Sequence, residues 1–596
     1  VLIVLETCGR SDERAAATAT VSLSTTASSG MVRALMVDDV PVERSPPRNA
    51  LFALLVIGVV PTLMHVLFSR YGFSPTDDGF VLAAARRVVD GQLPHRDFIS
   101  VRPALSAWLH APEILLGGGV YTYWLSRWIV CLQFGAIAWA WVRTAEQLLE
   151  QPLPLAERLG LAVFALVLSL HTFPLMAWPS VDAMFLASLG ICAVASRRPR
   201  RVWIGYLALG ASALCRQNFG LVPLFVLVLF GDWRRLRYVA AAAAAGAIYV
   251  AAMAVEGALG DMLRQVTAVG SVRERGLDPY LFNTRVPVGV LGGLLAFELL
   301  SVGSSSESDR RRATLWRMVG AAAVLVVLLG MTVGLRPGRN YLFGASFLLF
   351  GCVLGTLLSM LRHRQTGDAP LLRFGVLVLV VGWSVGLSIG WTSPALASGA
   401  LAVFLWFVWR ARVEGLLAAS GTPALVRYAG IASLTAFALF NGYVARTQNI
   451  YRESALAAIN APLDAVMPGA ALLRTNRRTD AFLTDLKHAV DDLETTGKRY
   501  AIVPDVAGWW PSAAQPNLLA VDWAHPMESP SPELQARLNR SLDAQRGRLV
   551  AIVQKVSTDA LHKRFAPLDS SYCKLLEHVR TTWTKTGETR FFDLYE

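Results

Sequence analysis

Two adjacent carboxylates, Asp77 and Asp78, stand in Pro75-Thr76-Asp77-Asp78-Gly79-Phe80, just beyond the first long apolar run of the chain. A carboxylate held there takes the proton of a hydroxyl as that hydroxyl attacks an electrophilic carbon. A phosphate leaving group, already a weak base, then needs positive charge around its oxygens more than it needs an acid, and arginine supplies that charge in a planar fork. Other groups suited to such chemistry are few. Arg96, Asp97 and Arg102 follow in the same loop. Asp182 stands in Trp178-Pro179-Ser180-Val181-Asp182-Ala183, and Arg216-Gln217-Asn218-Phe219 interrupts an apolar run. Arg336-Pro337-Gly338-Arg339-Asn340-Tyr341 is a short turn with two arginines and a tyrosine.

Each of these has a plainer reading. Asp77 and Asp78 also suit a helix N-terminus, where negative charge is favoured. Arg216 also reads as a snorkelling anchor, and Arg336 and Arg339 as solvated residues or contacts to lipid headgroups. Arg96, Asp97 and Arg102 also form a surface ion-pair set, and Asp182 a cap of the helix it opens. The functional reading gains from their placement, since all fall on one side of the membrane map drawn from the apolar runs.

That map starts from composition. Hydrophobic residues make up 54% of the 596, charged residues only 17%, and mean hydropathy is +0.44, the balance of a membrane protein. The net charge of +13 would suggest nucleic acid in a soluble chain, but the arginines cluster in short loops between apolar runs, so a nucleic-acid partner is not expected. Cys131, Cys192, Cys215 and Cys352 lie in or beside apolar runs without CxxC spacing and read as small core residues.

With about 20 apolar residues per crossing, spans are expected near 51–69, 121–142, 159–174, 178–195, 203–216, 219–231, 238–255, 286–302, 314–334, 341–361, 374–391, 393–409 and 428–445. The basic loops at 197–201, 234–237, 310–312 and 362–364 then share one side, expected to be the cytoplasm. The odd count, about 13 helices, puts the N-terminus inside and both the Asp77 loop and the tail after Arg446 outside. Residues 1–50, rich in Ser, Thr and Ala and then polar, are expected to be a disordered cytoplasmic arm. Residues 103–118 carry Leu, Trp and Ile on one side and two prolines, and are expected as a helix on the outer membrane surface.

From about Ala457 the composition becomes that of a soluble α/β domain, taken as residues 457–596. Strands are expected at 470–473, 500–503, 550–553 and 590–594, with helices at 479–496 and 532–545. Thr479 is the expected N-cap of the first helix, and Phe482, Leu486, Val490 and Leu493 its buried face. Pro504-Asp505-Val506-Ala507-Gly508-Trp509-Trp510 reads either as a packed loop or as an aromatic loop that meets sugar.

The run Asp77-Asp78-Gly79-Phe80, then AARRVVDGQLPHRDF, then the proline-marked surface helix resembles the first outer loop of the GT-C glycosyltransferases. Within them it is similar to the lipid-linked-sugar transferases related to protein O-mannosyltransferases and the aminoarabinose transferase of lipid A. The glycine-rich span from Gly205 that ends Cys215-Arg216-Gln217, and Arg339-Asn340-Tyr341 before a span, are similar to later parts of that family. The resemblance covers the membrane part, Leu51 to Arg446. It implies an integral membrane glycosyltransferase with a polyprenyl-phosphate sugar donor and an envelope acceptor (lipid, glycan or protein) at the outer face of the cytoplasmic membrane. Asp77 would be the base, Asp78 its neighbour in substrate contacts, and Arg216 and Arg339 the clamp on the donor phosphate. The chain departs from the family pattern in having Asp77-Asp78 where many members show Asp-Glu, and Arg216 where they show lysine.

No cofactor is expected. Asp77, Asp78 and Asp182 together could hold a divalent ion, but no histidine or further acid has a spacing that demands it. Two other classes stay open. One is a transporter or flippase of lipid-linked saccharides, against which the spans offer only Glu298 and His65 as ionisable groups and no evident repeat. The other is a non-catalytic assembly protein of the cell envelope.

Overall fold

The computed structural model describes residues 46–170, 175–268, 273–303, 307–336, 341–363, 368–387, 393–418, 423–448 and 450–596. The expected arm lies, up to residue 45, outside the described residues. Residues Ala50–Glu596 form one compact unit.

The protein is polytopic and mostly helical. Among the described residues, eight helices are long and apolar enough to cross a membrane: Arg48–Phe68, Thr122–Leu148, Leu236–Val255, Asp309–Val333, Leu342–His363, Ala369–Gly386, Ala395–Glu414 and Ala424–Gln448. The other expected crossings fall on shorter helices, Leu155–Leu170, Pro179–Ala195, Pro199–Cys215, Leu221–Leu229 and Arg285–Leu300. Helices in lipid associate through close packing rather than through apolar attraction. Accordingly Gly289 and Gly293 face Gly351 and Gly355, and a Cβ on any of them would strike the backbone opposite.

The surface segment is not one helix. It breaks at His110 into Leu105–Leu109 and Ala111–Gly117, the second helix carrying Pro112 in its first turn, where the missing amide hydrogen cannot continue the first helix. His110 is buried while Leu115 and Leu116 are exposed. Helix Phe80–Val89 opens with a 3₁₀ turn at Asp77–Gly79 and ends before Gly91, whose φ is +82°, the left-handed geometry glycine permits at a helix stop.

The C-terminal part holds an antiparallel pair, β1 (Ile459–Pro462) with β2 (Arg474–Asn476). It also holds a four-stranded sheet of β3 (Arg499–Val503), β4 (Leu549–Gln554), β5 (Lys585–Glu588) and β6 (Phe592–Tyr595) in the order β3-β4-β6-β5. Strands β3 and β4 are parallel, with Tyr500 opposite Val550, while β6 runs antiparallel to both its neighbours. Alternation along β3 and β4 builds two cores. Tyr500, Ile502, Val550 and Ile552 meet helix Arg477–Thr495 through Phe482, Leu486, Val490 and Leu493. Ala501, Val503, Ala551 and Val553 meet Leu534, Leu538 and Leu576 of helices Pro532–Asp543 and Lys574–Thr582.

Two local expectations need correction, and one strand was not expected. The strand expected at 470–473 lies later, at Arg474–Asn476, because the chain turns at Leu472, which has a φ of +70°. The N-cap is Asn476 rather than Thr479, its side chain accepting from the Arg478 and Thr479 amides. Strand β5, Lys-Thr-Gly-Glu, has no apolar alternation to announce it, since it is an exposed edge.

The loop after the first membrane helix is built into this domain rather than laid beside it. Phe73, Val81, Leu82, Ala85 and Tyr123 share a core with Leu463, Met467, Trp509 and Trp510. Both tryptophans are buried in the 3₁₀ turn Ala507–Ser512, which decides for the packed-loop reading. Gly79 and Gly508 touch backbone to backbone, and the Gly508 amide donates to the Pro75 carbonyl at 2.7 Å.

Candidate active site

Asp77 and Asp78 are both buried, yet they face different partners. Asp78 accepts from Arg127 at 2.7 Å through Oδ1 and from the Ser74 amide at 2.8 Å through Oδ2. Arg127, near the start of helix Thr122–Leu148, also donates to the Ser69 and Gly72 carbonyls. Asp78 therefore anchors the loop to the membrane helix, and both of its oxygens are engaged.

Asp77 is held from the far end of the membrane domain. Its Oδ2 accepts from the Tyr451 hydroxyl at 2.9 Å and pairs with Arg452 at 2.9 Å. Both partners follow the last membrane helix. Arg452 has a φ of +49°, a left-handed conformation costly for a side chain with a Cβ and often found at functional sites. The same guanidinium reaches Asp559 at 2.8 Å. Among the described residues, Oδ1 of Asp77 receives no hydrogen bond. Burial raises the Asp77 pKa, Arg452 and Tyr451 oppose that shift, and Asp559 and Asp78 add to it, with a net rise. The group is a stronger base than an ordinary aspartate, with one oxygen free to take a proton.

A third carboxylate joins from the sheet domain. Asp505 follows the carboxyl end of β3, where open α/β sheets place their functional loops. The Thr76 hydroxyl, next to Asp77, donates to its carbonyl at 3.0 Å, and Thr558 donates to its Oδ2 at 2.7 Å. Burial pushes the Asp505 carboxyl up to about 7, with Asp559 and Asp77 adding to the rise.

Around this centre, Phe68, Tyr71, Gly72, Asp78, Arg127, Arg446 and Tyr451 line a polar pocket. Phe68 and Arg446 also end an apolar groove of about 530 Å³ between helices Arg48–Phe68, Leu155–Leu170 and Ala424–Gln448, lined by Leu63, Leu67, Val163, Leu439 and Tyr443 among others. The pocket and the groove thus share Phe68 and Arg446 in their walls, and Arg446 is itself buried and donates to the Leu170 carbonyl at 2.9 Å.

The remaining sequence candidates fall elsewhere. Asp182 is fully buried and accepts from His110 at 3.0 Å and Gln133 at 2.8 Å, and His110 meets Glu113 at 2.5 Å. Burial alone would lower the His110 pKa, but Asp182 and Glu113 outweigh it and raise the group to about 10. The histidine is therefore a cation that ties the surface segment to helices Thr122–Leu148 and Pro179–Ala195. Arg216 donates to Ser180 at 2.9 Å and to the Leu387 carbonyl, and Gln217 reaches the Val101 carbonyl at 3.4 Å. Arg102 is clamped by Glu528 at 2.7 and 3.0 Å. Residues 101–110 thus gather Arg102, Asp182 and Gln217 around them. Arg96 is away from this set, paired with Asp97 and Glu256 at the surface, and Arg336 donates to Asn441 at 2.9 Å. Arg339 and the Tyr341 side chain lie outside the described residues.

Arg127, Arg446, Tyr451, Arg452, His110 and Glu113 escaped the sequence reading, and Asp505 entered it only within the loop 504–510. Arg127 and Arg446 had a signal, a charge inside an apolar run. Arg452 had none, and the loop of Asp505 stood out for its aromatic residues rather than for its carboxylate, because only folding brings the two to Asp77. The count of intramembrane ionisable groups also needs correction. Besides Glu298, which pairs with His363 at 2.7 Å, Glu146, Glu157, Arg158 and Arg410 are buried at helix ends, with Arg158 meeting Glu146 at 2.8 Å. Their nearness to loops hid them. Among the described residues no group of three or more His, Cys, Asp or Glu is placed to hold a metal ion, and the described cysteines are free and buried.

No protein-family model and no curated protein matches the chain. Among solved structures it is similar to ArnT from Cupriavidus metallidurans bound to undecaprenyl phosphate, at 12% identity and a TM-score of 0.44, over 92% of this chain and 97% of that one. It is also similar to the same protein in the apo state, at 14% identity and a TM-score of 0.37, over 92% of this chain and 98% of that one. At these values the likeness concerns the course of the chain and assigns no role to any residue.

Proposed function

We propose that this chain is an inverting membrane glycosyltransferase, carrying a sugar from a polyprenyl-phosphate donor to a lipid, glycan or protein acceptor at the outer face of the cytoplasmic membrane. The observation that carries the reading is the junction at Arg446. There an apolar groove along the membrane helices and a pocket walled by Arg127 and Arg446 share that arginine, and Asp78 of the pocket wall adjoins the buried Asp77, which Arg452 holds by one oxygen. A long apolar chain that ends in a phosphate suits such a site, with its tail among Leu63, Leu67 and Leu439 and its phosphate by Arg446.

In this reading the acceptor hydroxyl attacks the anomeric carbon opposite the phosphate. The hydroxyl proton passes to Asp77 Oδ1, the new C–O bond forms, and the bond from that carbon to the phosphate oxygen breaks with its electron pair leaving on the polyprenyl phosphate. Tyr451 and Arg452 hold Asp77 by its other oxygen, so the free one is fixed in direction. Arg446 steadies the charge that develops on the leaving phosphate. Arg216, implied for that task by the family resemblance, takes second place here because its partners are Ser180 and the Leu387 carbonyl. No step is assigned to a metal or other cofactor.

The test is transfer from a panel of polyprenyl-phosphate sugars by the purified full chain in nanodiscs, with membrane-lipid extracts and envelope glycans as acceptors. Release of polyprenyl phosphate together with a glycosylated product supports the reading and names the sugar. Translocation of a labelled lipid-linked saccharide across a vesicle membrane, without any transfer, would replace it with the flippase reading.

A further inference from the structure

One turn of helix beyond Asp77, Phe80 opens a second cleft, between the first outer loop and the sheet domain. The half-buried Phe80 ring lies 5.7 Å from both Trp178 and Trp523, and the Arg102 guanidinium lies over it at 5.2 Å. The cleft walls add Ser100, Ser106, Asp522 and Glu528. Every charge in the wall is matched: Arg102 holds Glu528 in a two-point pair, and Arg87 holds Asp522 at 2.8 and 3.0 Å. The rings continue towards the carboxylates. Trp523 lies 4.6 Å from His525, His525 lies 5.6 Å from Tyr572, and the Tyr572 hydroxyl reaches Asp505 at 3.4 Å.

We infer that this cleft is a subsite for a neutral saccharide on the acceptor, seated against Phe80 and Trp523 and hydrogen-bonded by the paired Arg102, Glu528 and Asp522.

The chemistry favours that ligand over others. Aromatic faces take up the C–H faces of a sugar ring, while fixed donors and acceptors at the rim satisfy its hydroxyls. The two arginines and two carboxylates cancel, so an anionic sugar or a phosphate would find no spare cation and would have to break a pair. Burial lowers the pKa of His525, which also accepts the Met527 amide at 3.1 Å through Nδ1, so it adds no charge at neutral pH. The inference rests on the glycosyltransferase reading for the word acceptor. The two cavities are near Asp77 in the chain, since Asp78 lines the arginine-walled pocket and Phe80 lines this cleft.

The test needs neither donor nor turnover. Saturation-transfer NMR on the full chain in nanodiscs, which avoid sugar-headed detergents, is run with the methyl glycosides of glucose, galactose, mannose, N-acetylglucosamine and arabinose, and with methyl glucuronoside as the anionic control. The expected result is transfer to ring protons of at least one neutral glycoside and none to the glucuronoside. Phe80→Leu and Trp523→Ala should weaken it about ten-fold each. Arg102→Gln, which leaves Glu528 without its partner, is the second line should the aromatic variants fail to fold. Each variant is read only on material with the thermal midpoint of the unchanged protein. Transfer that survives all three substitutions, a preference for the glucuronoside, or no transfer from any neutral glycoside would overturn the inference. Transfer activity that still depends on Asp77 would in that case leave the proposed reaction standing.

Discussion

Asp77→Asn separates the two neighbouring carboxylates by role. The substitution keeps the shape and leaves an amide oxygen to accept from Tyr451, but it removes the charge opposite Arg452 and the oxygen that receives the proton. The structural cost is bounded, since Arg452 keeps Asp559 at 2.8 Å. One charge-assisted hydrogen bond is weakened, worth about 1.5–3 kcal/mol, and no cation is left buried alone. The chemical cost is larger. A positioned general base contributes roughly 10²–10⁴ in rate, which at about 1.36 kcal/mol per decade is about 3–5 kcal/mol of barrier. The assay is single-turnover transfer with enzyme in excess over acceptor and donor concentration varied, run from pH 5 to pH 9, alongside thermal unfolding of the same preparation. The expected outcome is a rate lowered about 10²–10⁴-fold with donor affinity nearly unchanged. In the unchanged protein only ionised Asp77 can act. Because its pKa is raised, by burial above all, the rate should climb with pH above the usual carboxylate range and then level. An Asp77→Asn variant that kept a tenth or more of the rate, or lost donor affinity instead of turnover, would refute the assignment of Asp77 as the base.

Asp78→Asn should fail differently, by destabilising the fold about 3–5 kcal/mol, because it leaves the Arg127 charge buried with carbonyls alone. Thermal unfolding would show the loss, and turnover per folded molecule should fall far less than for Asp77→Asn. His110 has a folded pKa of about 10, above its unfolded value of roughly 6.5. Its ion pairs therefore stabilise fully below about pH 6.5 and fade as pH rises through about 10. The gap in unfolding temperature between the unchanged protein and His110→Gln should shrink over that window, and a gap constant with pH would contradict a charged His110. Gly79→Ala should uncouple the outer loop from the sheet domain, since its Cβ would overlap the Gly508 backbone. Faster proteolysis after residue 450 without loss of the membrane domain is the expected readout.

The order of apolar runs, the break in composition near Ala457 and the alternation in β3 and β4 are local properties, set by the solvent each segment requires, and they were legible in the sequence. Asp77 stood out there too as a candidate, a carboxylate just beyond a membrane span. What Asp77 does depends on contacts hundreds of residues away: Tyr451 and Arg452 from beyond the last span, Asp505 from the end of β3, and the Gly79–Gly508 approach that seals the loop into the domain. The same holds for the split between the adjacent carboxylates. Asp77 and Asp78 are chemically alike on paper, and only tertiary packing engages both oxygens of Asp78 while leaving Asp77 one open oxygen. Asp182 differs in another way: it is equally acidic in sequence, yet His110 and Gln133 both meet its Oδ1 and its Oδ2 is sealed in the interior without a hydrogen bond among the described residues. Residue type and spacing thus determined which groups could do chemistry, while long-range burial and pairing decided which of them is free to do it, because a carboxylate's reactivity is set by the partners that share its buried oxygens.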